Sequence, residues 1–317
     1  MEIRFMNKTL YRVAASLLVL WISAACTKEQ GEFSYEPRTE VGKALLYNAG
    51  EVARVYKDTS FVVAVGVEET DVTFQVMEGF SERICVLRID TSVPGVKVRV
   101  AMPNDQTNVA SGWKFQTLSD MASRLDKSGA RVVGMVNGDF WDTQAKVPRG
   151  PVRMNGVTVS DVWNPSDKLP QQALSFIGVD IEGRMVIEDK DRYPYLKDGL
   201  TECTGAGLIV LRNGEFPGTD WMQRDPRTAI GYTADGVIYF LTADGREKIG
   251  AYGLKYKELA SIFRALGCDN AANLDGGGSA QFLVRHPVAQ VFQVRNRPSD
   301  GQERPVINAW AVTVEEQ

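Results

Sequence analysis

Two stretches of this chain repeat the same local grammar, and together they restrict the fold more than anything else in it. Over residues 118–127, Leu118, Met121 and Leu125 recur at helical spacing, Thr117 with Asp120 forms a capping-box-like start, and Gly129 is a stop. Over residues 256–266, Leu259, Ile262, Phe263 and Leu266 make one apolar face, and Gly267 is the stop. Each predicted helix leads into a short apolar strand, at 131–136 and 269–272. Each strand then ends in a polar turn: Asn137-Gly138-Asp139-Phe140-Trp141 after the first, Asn273-Leu274-Asp275-Gly276-Gly277-Gly278-Ser279 after the second. The pair reads as a decayed internal repeat. Most of the remaining chain is strand-like, with β-branched runs at 61–65, 72–76, 84–89 and 96–100, further runs at 174–179, 208–211, 228–232 and 237–241, and turn pairs Pro94-Gly95, Asn213-Gly214 and Asp235-Gly236. The expected class is α+β, with few helices against a large mixed β-sheet core.

The N-terminus addresses the compartment. Arg4, Lys8 and Arg12 precede an apolar run from Val13 to Ala25, which ends Ser23-Ala24-Ala25-Cys26. That is a basic region, an apolar segment too short to span a bilayer comfortably, and small residues before a cysteine. The expectation is a lipoprotein signal peptide at 1–25 and export, with a lipid anchor on Cys26 as the contact with the membrane, facing the periplasm or the outer-membrane surface. Residues 26–80 then form a tether and an N-terminal β segment, the tether proper reaching to about residue 50, and 81–317 form the main domain. With 36 basic and 40 acidic residues the net charge is −4. No basic block stands out, so nucleic acid is not an expected partner. Cys85, Cys203 and Cys268 are widely spaced with no CxxC, and they read as buried free thiols or one disulfide with a thiol left over. His286 is the only histidine, no motif surrounds it, and it reads as structural.

Three segments carry chemistry. In the first, three consecutive glycines just past a strand lose much chain entropy on folding, which suits backbone that must approach something closely or adopt positive φ. Successive amides of Gly276, Gly277 and Gly278 can form an anion-binding nest, bracketed by the Asp275 carboxylate and the Ser279 hydroxyl, with Asn273 beside them. In the second, Asn137, Gly138 and Asp139 lie next to Phe140 and Trp141, an amide and a carboxylate beside aromatic faces, as in sugar sites and equally as in turns above a core. In the third, Arg227 and Thr228 open an otherwise apolar strand. A guanidinium there must meet an anion, either phosphate in its bidentate fork or a carboxylate in a structural salt bridge. Asp244-Gly245-Arg246 and Glu303-Arg304 add charges in turns, of the kind that is mostly solvated and idle.

Taken together, the segments resemble the phosphodiester glycosidase family. The matching elements are Asn137 through Phe140, Gly150-Pro151, Asn155-Gly156, Arg227 through Gly231, Asp244-Gly245-Arg246, Glu258-Leu259-Ala260, Asn273 through Ser279, and Glu303-Arg304 with Asn308. They follow the family's order over roughly residues 80–317, and Asp139 stands where many members have glycine. The resemblance implies hydrolysis of a sugar-1-phosphodiester, of the N-acetylglucosamine-1-phosphodiester type, at the glycosidic C–O bond, giving free sugar and a phosphomonoester. In that reading Asp275 is nucleophile or electrostatic stabiliser, and Arg227 with the Gly276–Gly278 amides holds phosphate. Asp139 activates water or binds a hydroxyl, and Asn137 positions the sugar. Gly138, Phe140, Thr228, Asn273, Ser279 and Arg304 complete the binding surface. No cofactor is required, and a structural calcium stays open. Two other readings compete: a phosphoglycan-binding surface lipoprotein without catalysis, and a metal-dependent phosphodiesterase with Asp139, Asp142, Asp244 and Asp275 as calcium or magnesium ligands.

Overall fold

A computed structural model describes residues 34–129 and 131–315. The expected signal peptide, the Cys26 anchor and the first part of the tether lie outside the described residues. A compact unit begins at Glu36. It opens with α1 (Glu40–Asn48), β1 (Val52–Ala64), β2 (Val67–Val76), β3 (Ser81–Asp90) and β4 (Lys97–Ala101). The first helix–strand unit follows as α2 (Leu118–Lys127) and β5 (Arg131–Asn137). Then come β6 (Val152–Met154), β7 (Val157–Ser160), β8 (Ser175–Asp180), β9 (Met185–Asp189), the one-turn α3 (Tyr193–Leu196) and β10 (Leu200–Ala206). After β11 (Ile209–Leu211), β12 (Arg227–Tyr232) and β13 (Val237–Ala243), the second unit is α4 (Tyr256–Ala265) with β14 (Asn270–Asn273). The chain closes with β15 (Phe282–Arg285), β16 (Phe292–Val294) and β17 (Ala309–Val314).

The sheet-rich α+β class expected from sequence is what forms. The strands divide among three sheets: β1-β2-β3-β13-β12-β14-β11, β7-β6-β10-β8-β9, and β16-β15-β5-β17-β4. Each pairing among the described residues is antiparallel. One apolar core serves all three sheets, joining Leu87 and Phe240 of the first, Val152 and Ile177 of the second, and Val136 and Trp310 of the third. Trp310 also donates its indole N–H to Thr204 Oγ1 at 2.9 Å, so a buried polar tip still finds a partner between sheets. Both predicted helices form within a residue or two of the expected ends. In α2, Leu118, Met121 and Leu125 pack on Met135, Leu283 and Ala309. Phe263 of α4 packs over Gly231, where a Cβ would lie 2.6 Å from the ring.

One expectation is corrected. Part of the stretch read as tether is helix α1, and β1 and β2 belong to the largest sheet. The helix is held by contacts that no local pattern displays. Thr39 accepts the Gly42 amide at 2.9 Å, and the buried Asp58 of β1 accepts the amides of Arg38 and Thr39 at 3.0 and 2.6 Å. A cap completed by a carboxylate nineteen residues away is tertiary information. Cys85, Cys203 and Cys268 are free and buried. The ring of His286 accepts the amides of Val288 and Ala289 through Nδ1, a turn-forming role.

Candidate active site

The two helix–strand–turn units meet. β5 and β14 belong to different sheets, yet their polar turns bond to each other: the Asp275 amide donates to the Gly138 carbonyl at 3.0 Å, and Asn137 Nδ2 donates to the Asp275 carbonyl at 2.7 Å. Asn137 Oδ1 accepts from Thr228 Oγ1 at 2.7 Å and from the Gln281 amide at 3.1 Å. Asn137 and Thr228 are fully buried and fully engaged, so they hold strands together beneath the site. That arrangement brings Asp139 and Asp275 together where β5 and β14 end, close enough for the charge of Asp275 to act on Asp139. At the opposite ends of β5, β12, β15 and β17 lies a groove of about 1460 Å³ lined by Arg131, Tyr232, Arg285 and Val314, remote from both carboxylates.

The carboxylates differ in setting. Asp139 is buried, with Oδ2 accepting the Gly150 amide at 2.8 Å and its own amide donating to Asn308 Oδ1 at 2.8 Å. Burial pushes its pKa well above the usual carboxylate range. The Gly150 bond opposes that shift, and the charge of Asp275 adds to it. Its other oxygen, Oδ1, is buried with no partner in the protein, which is a strong pointer to a working group. Asp275 is half-buried, and burial raises its pKa to about 6. The Ser279 hydroxyl, the Arg304 charge and the Gly276 amide hold it from rising further. Both carboxyls are thus shifted upward, Asp139 by burial and by the charge of its neighbour Asp275.

Each glycine of the triple has its own reason. A side chain at Gly276 would collide with the Pro226 carbonyl. Gly277 sits at φ +57°, and a Cβ there would lie 2.6 Å from Arg246 Nη2. At Gly278 it would collide with the Arg304 guanidinium. The loop is therefore flat against two arginines. Two of the three amides expected to form a nest are engaged in the protein: Gly276 N–H bonds Asp275 Oδ1 and Gly277 N–H bonds the Pro226 carbonyl, while Ser279 N–H closes back on the Gly276 carbonyl. Short loops bond within themselves, and sequence cannot tell that from a nest. Positive charge is supplied by side chains instead. Arg246 is held by Asp225 at 2.9 Å and Arg304 by Asp300 at 2.7 Å, both guanidinia partly exposed. Arg304 Nη1 also reaches Ser279 Oγ at 3.4 Å.

Arg227 was expected to meet an anion. Its guanidinium instead lies 4.2 Å over the Tyr256 ring and donates to the Leu254 carbonyl, the Tyr256 hydroxyl and the Gln223 carbonyl at 3.0, 3.0 and 2.7 Å. Neutral acceptors leave its charge unneutralised, so it adds positive potential behind the glycine loop without touching it. Phe140 is nearly buried and packs on Gly207, close to the Asn273 carbonyl, so the ring forms the site's wall. Gly138 accommodates Asn308, whose Oδ1 would collide with a Cβ there. Asn273 Oδ1, Gln281 Oε1 and Asn308 Nδ2 are, like Asp139 Oδ1, buried without partners. Asp142 pairs with Arg149 and Asp244 with Arg83, so the four carboxylates weighed as a metal set are not brought together. Among the described residues, Glu69, Asp71 and Cys85 have metal-ligand spacing, but Arg83 and Arg295 pair with both carboxylates.

A family model described as phosphodiester glycosidase matches residues 130–313, more than half of the 317-residue chain. The chain belongs to the phosphodiester glycosidase family. Among curated relatives, it is 37% identical over 98 residues to the SPbeta prophage-derived uncharacterized protein YomE of Bacillus subtilis (strain 168), a match covering 30% of this chain and 14% of that one. It is 40% identical over 63 residues to the N-acetylglucosamine-1-phosphodiester alpha-N-acetylglucosaminidase of Mus musculus, covering 20% and 12%. The matched stretches thus span under a sixth of either relative. Its fold is similar to the zebrafish N-acetylglucosamine-1-phosphodiester alpha-N-acetylglucosaminidase catalytic domain auto-inhibited by its pro-peptide, with TM-score 0.57, 15% identity, and coverage of 82% of this chain and 88% of that one. The family match begins at residue 130, whereas β1–β3 belong to the same sheet as β12–β14, so the structural unit starts well upstream of the match. Arg246, Asn308 and Gln281 join the site beyond the residues expected there; Arg246 and Asn308 lie in the elements that carry the family resemblance, and Asn308 is also a polar residue at the end of an apolar strand, before Ala309–Val314.

Proposed function

We propose that the protein hydrolyses the glycosidic C–O bond of a sugar-1-phosphodiester of the N-acetylglucosamine type, releasing free sugar and a phosphomonoester. The observation that carries this reading is the pairing of Asp275 with a buried Asp139, whose Oδ1 has no internal partner, beside two guanidinia laid on a glycine loop. An oxocarbenium-like transition state needs a carboxylate at the anomeric carbon, and Asp275 suits that position as nucleophile or electrostatic stabiliser. A departing phosphomonoester is already a good leaving group, so positive charge on its oxygens does much of what a general acid does elsewhere. Arg246 and Arg304 supply that charge at the surface of the loop, and Arg227 adds to the potential from below. Asp139 donates a hydrogen bond to the substrate from Oδ1, the oxygen without an internal partner. The unpartnered Asn273 Oδ1 and Asn308 Nδ2 face the same task for sugar hydroxyls and the acetamide.

The arrangement asks no metal of the reaction, because guanidinia take the role a divalent cation has on phosphate. The lipid anchor at Cys26 and the exported location remain part of the proposal, resting on residues 1–26 alone. The test is incubation with N-acetylglucosamine-1-phosphate methyl diester, with and without EDTA, reading products by NMR. Free N-acetylglucosamine that persists in EDTA and falls by about 10³-fold or more in Asp275→Ala is the expected result. Sugar-1-phosphate as product, or full activity in Asp275→Ala, would contradict the reading.

A further inference from the structure

We infer that the buried Arg83–Asp244 ion pair is the device that positions both phosphate-facing arginines, an inference that rests on the reading of Arg246 and Arg304 as the phosphate clamp. Arg83 lies in β3 and Asp244 immediately follows β13. Neither touches the glycine loop. Asp244 is 1% exposed, and its two oxygens serve two different elements, strand β3 and the loop at Arg297. Oδ2 accepts from Arg83 Nη1 at 2.7 Å, and Oδ1 accepts the Arg297 amide at 2.6 Å. The Asp244 amide donates to the Arg83 carbonyl at 3.0 Å. Arg83 Nη2 donates to the Arg295 carbonyl at 3.0 Å and to Asp71.

The consequence follows from chain connectivity. Asp244 is two residues before Arg246, in a turn where Arg246 and Glu247 both take positive φ, at +57° and +62°. A non-glycine pair in that region persists only where surrounding contacts over-determine it. Arg295 and Arg297 begin the segment that carries Asp300 and Arg304. One ion pair therefore pins the base of both arginine-bearing loops to the sheet, through one carboxylate and one guanidinium. Asn296 adds a third tie, accepting the Phe282 amide at 2.9 Å and donating to the Ala280 carbonyl at 3.0 Å, which locks the second loop to the end of the glycine turn. Arg83 and Asp244 are positioning residues, and their effect is on where the guanidinia stand.

The test uses the full chain with Arg83→Met, Arg83→Lys and Asp244→Asn, and with Arg246→Ala as the control for the clamp itself. The readouts are inorganic phosphate affinity by calorimetry, KM and kcat on the methyl diester, and Tm. Asp244→Asn keeps the acceptor for the Arg297 amide and the side-chain shape, so it decides the matter if Arg83→Met fails to fold. The expected result is phosphate affinity weakened about tenfold or more in Arg83→Met and Asp244→Asn, with KM raised in step, kcat changed less, and partial recovery in Arg83→Lys. Wild-type phosphate affinity in the folded Asp244→Asn variant, while Arg246→Ala loses it, overturns the inference and leaves the clamp standing. Wild-type phosphate affinity in Arg246→Ala overturns the clamp and the inference with it. Losses of kcat that track Tm with KM unchanged reduce the pair to a fold-stabilising role and likewise overturn it.

Discussion

At the scale of single residues, the proposed chemistry turns on two carboxyls in unlike surroundings. Asp275 has a pKa of about 6, raised chiefly by burial. If its ionised form does the work, kcat/KM rises as pH increases through about 6. It falls again where Asp139 loses its proton, the two limbs belonging to the coupled pair. The same shift acts oppositely on stability. The folded chain holds this proton more tightly than the unfolded one, so the group's contribution to stability is present below the unfolded pKa and is lost as pH rises through about 6. Asp275→Asn is therefore expected to raise Tm at pH 8 while abolishing turnover, and a lowered Tm there would count against the shift. Both aspartates were legible in the sequence, because each ends a strand in a turn rich in Asn and Gly. Their division of labour was not, since it depends on Gly150, Arg304 and Asn308, which are distant in the chain. The glycine triple shows the same limit. Its need for close approach was readable and Arg304 was placed at the site by resemblance, but that Arg246 lies against Gly277 was not readable.

At the scale of elements, the decisive fact is that two helix–strand–turn units converge and share one buried asparagine. Asn137 joins β5 to β12, to the Asp275 turn and to the start of β15. Asn137→Ala leaves a hydroxyl, an amide and a carbonyl without partners, at roughly 1–3 kcal/mol for each one that stays buried. A fall in Tm together with activity is expected, and a thermally unaffected variant would show that Asn137 is not the joint. The helix and strand of each unit could be read from periodicity and stop signals alone. Helix α1 could not, because its start is secured by Asp58 from across the β1 hairpin. Thr39→Ala should lower stability by about 1 kcal/mol through loss of the cap, measurable by denaturant titration with the diester activity unchanged. An unchanged midpoint would mean that the Asp58 carboxylate alone suffices.

At the scale of the whole molecule, three antiparallel sheets on one core bring the ends of β5, β12, β14, β15 and β17 to a single place. The sequence-level class, α+β and sheet-rich, follows from strand patterning. The partition into three sheets does not, because register and sheet membership are set by which apolar faces meet after collapse. The site lies where chain segments 137–139, 225–228, 244–246, 273–281 and 297–308 converge, so it exists only in the assembled fold. What the site does to a sugar-1-phosphodiester is decided by which bond breaks. The direct measurement is hydrolysis of N-acetylglucosamine-1-phosphate methyl diester in water enriched in oxygen-18, with mass spectrometry of both products. Cleavage at the anomeric carbon puts the label in N-acetylglucosamine and leaves methyl phosphate unlabelled, which is the expected result. Label in the phosphate would mean attack at phosphorus, and the assignment of Asp275 to the anomeric carbon would fall.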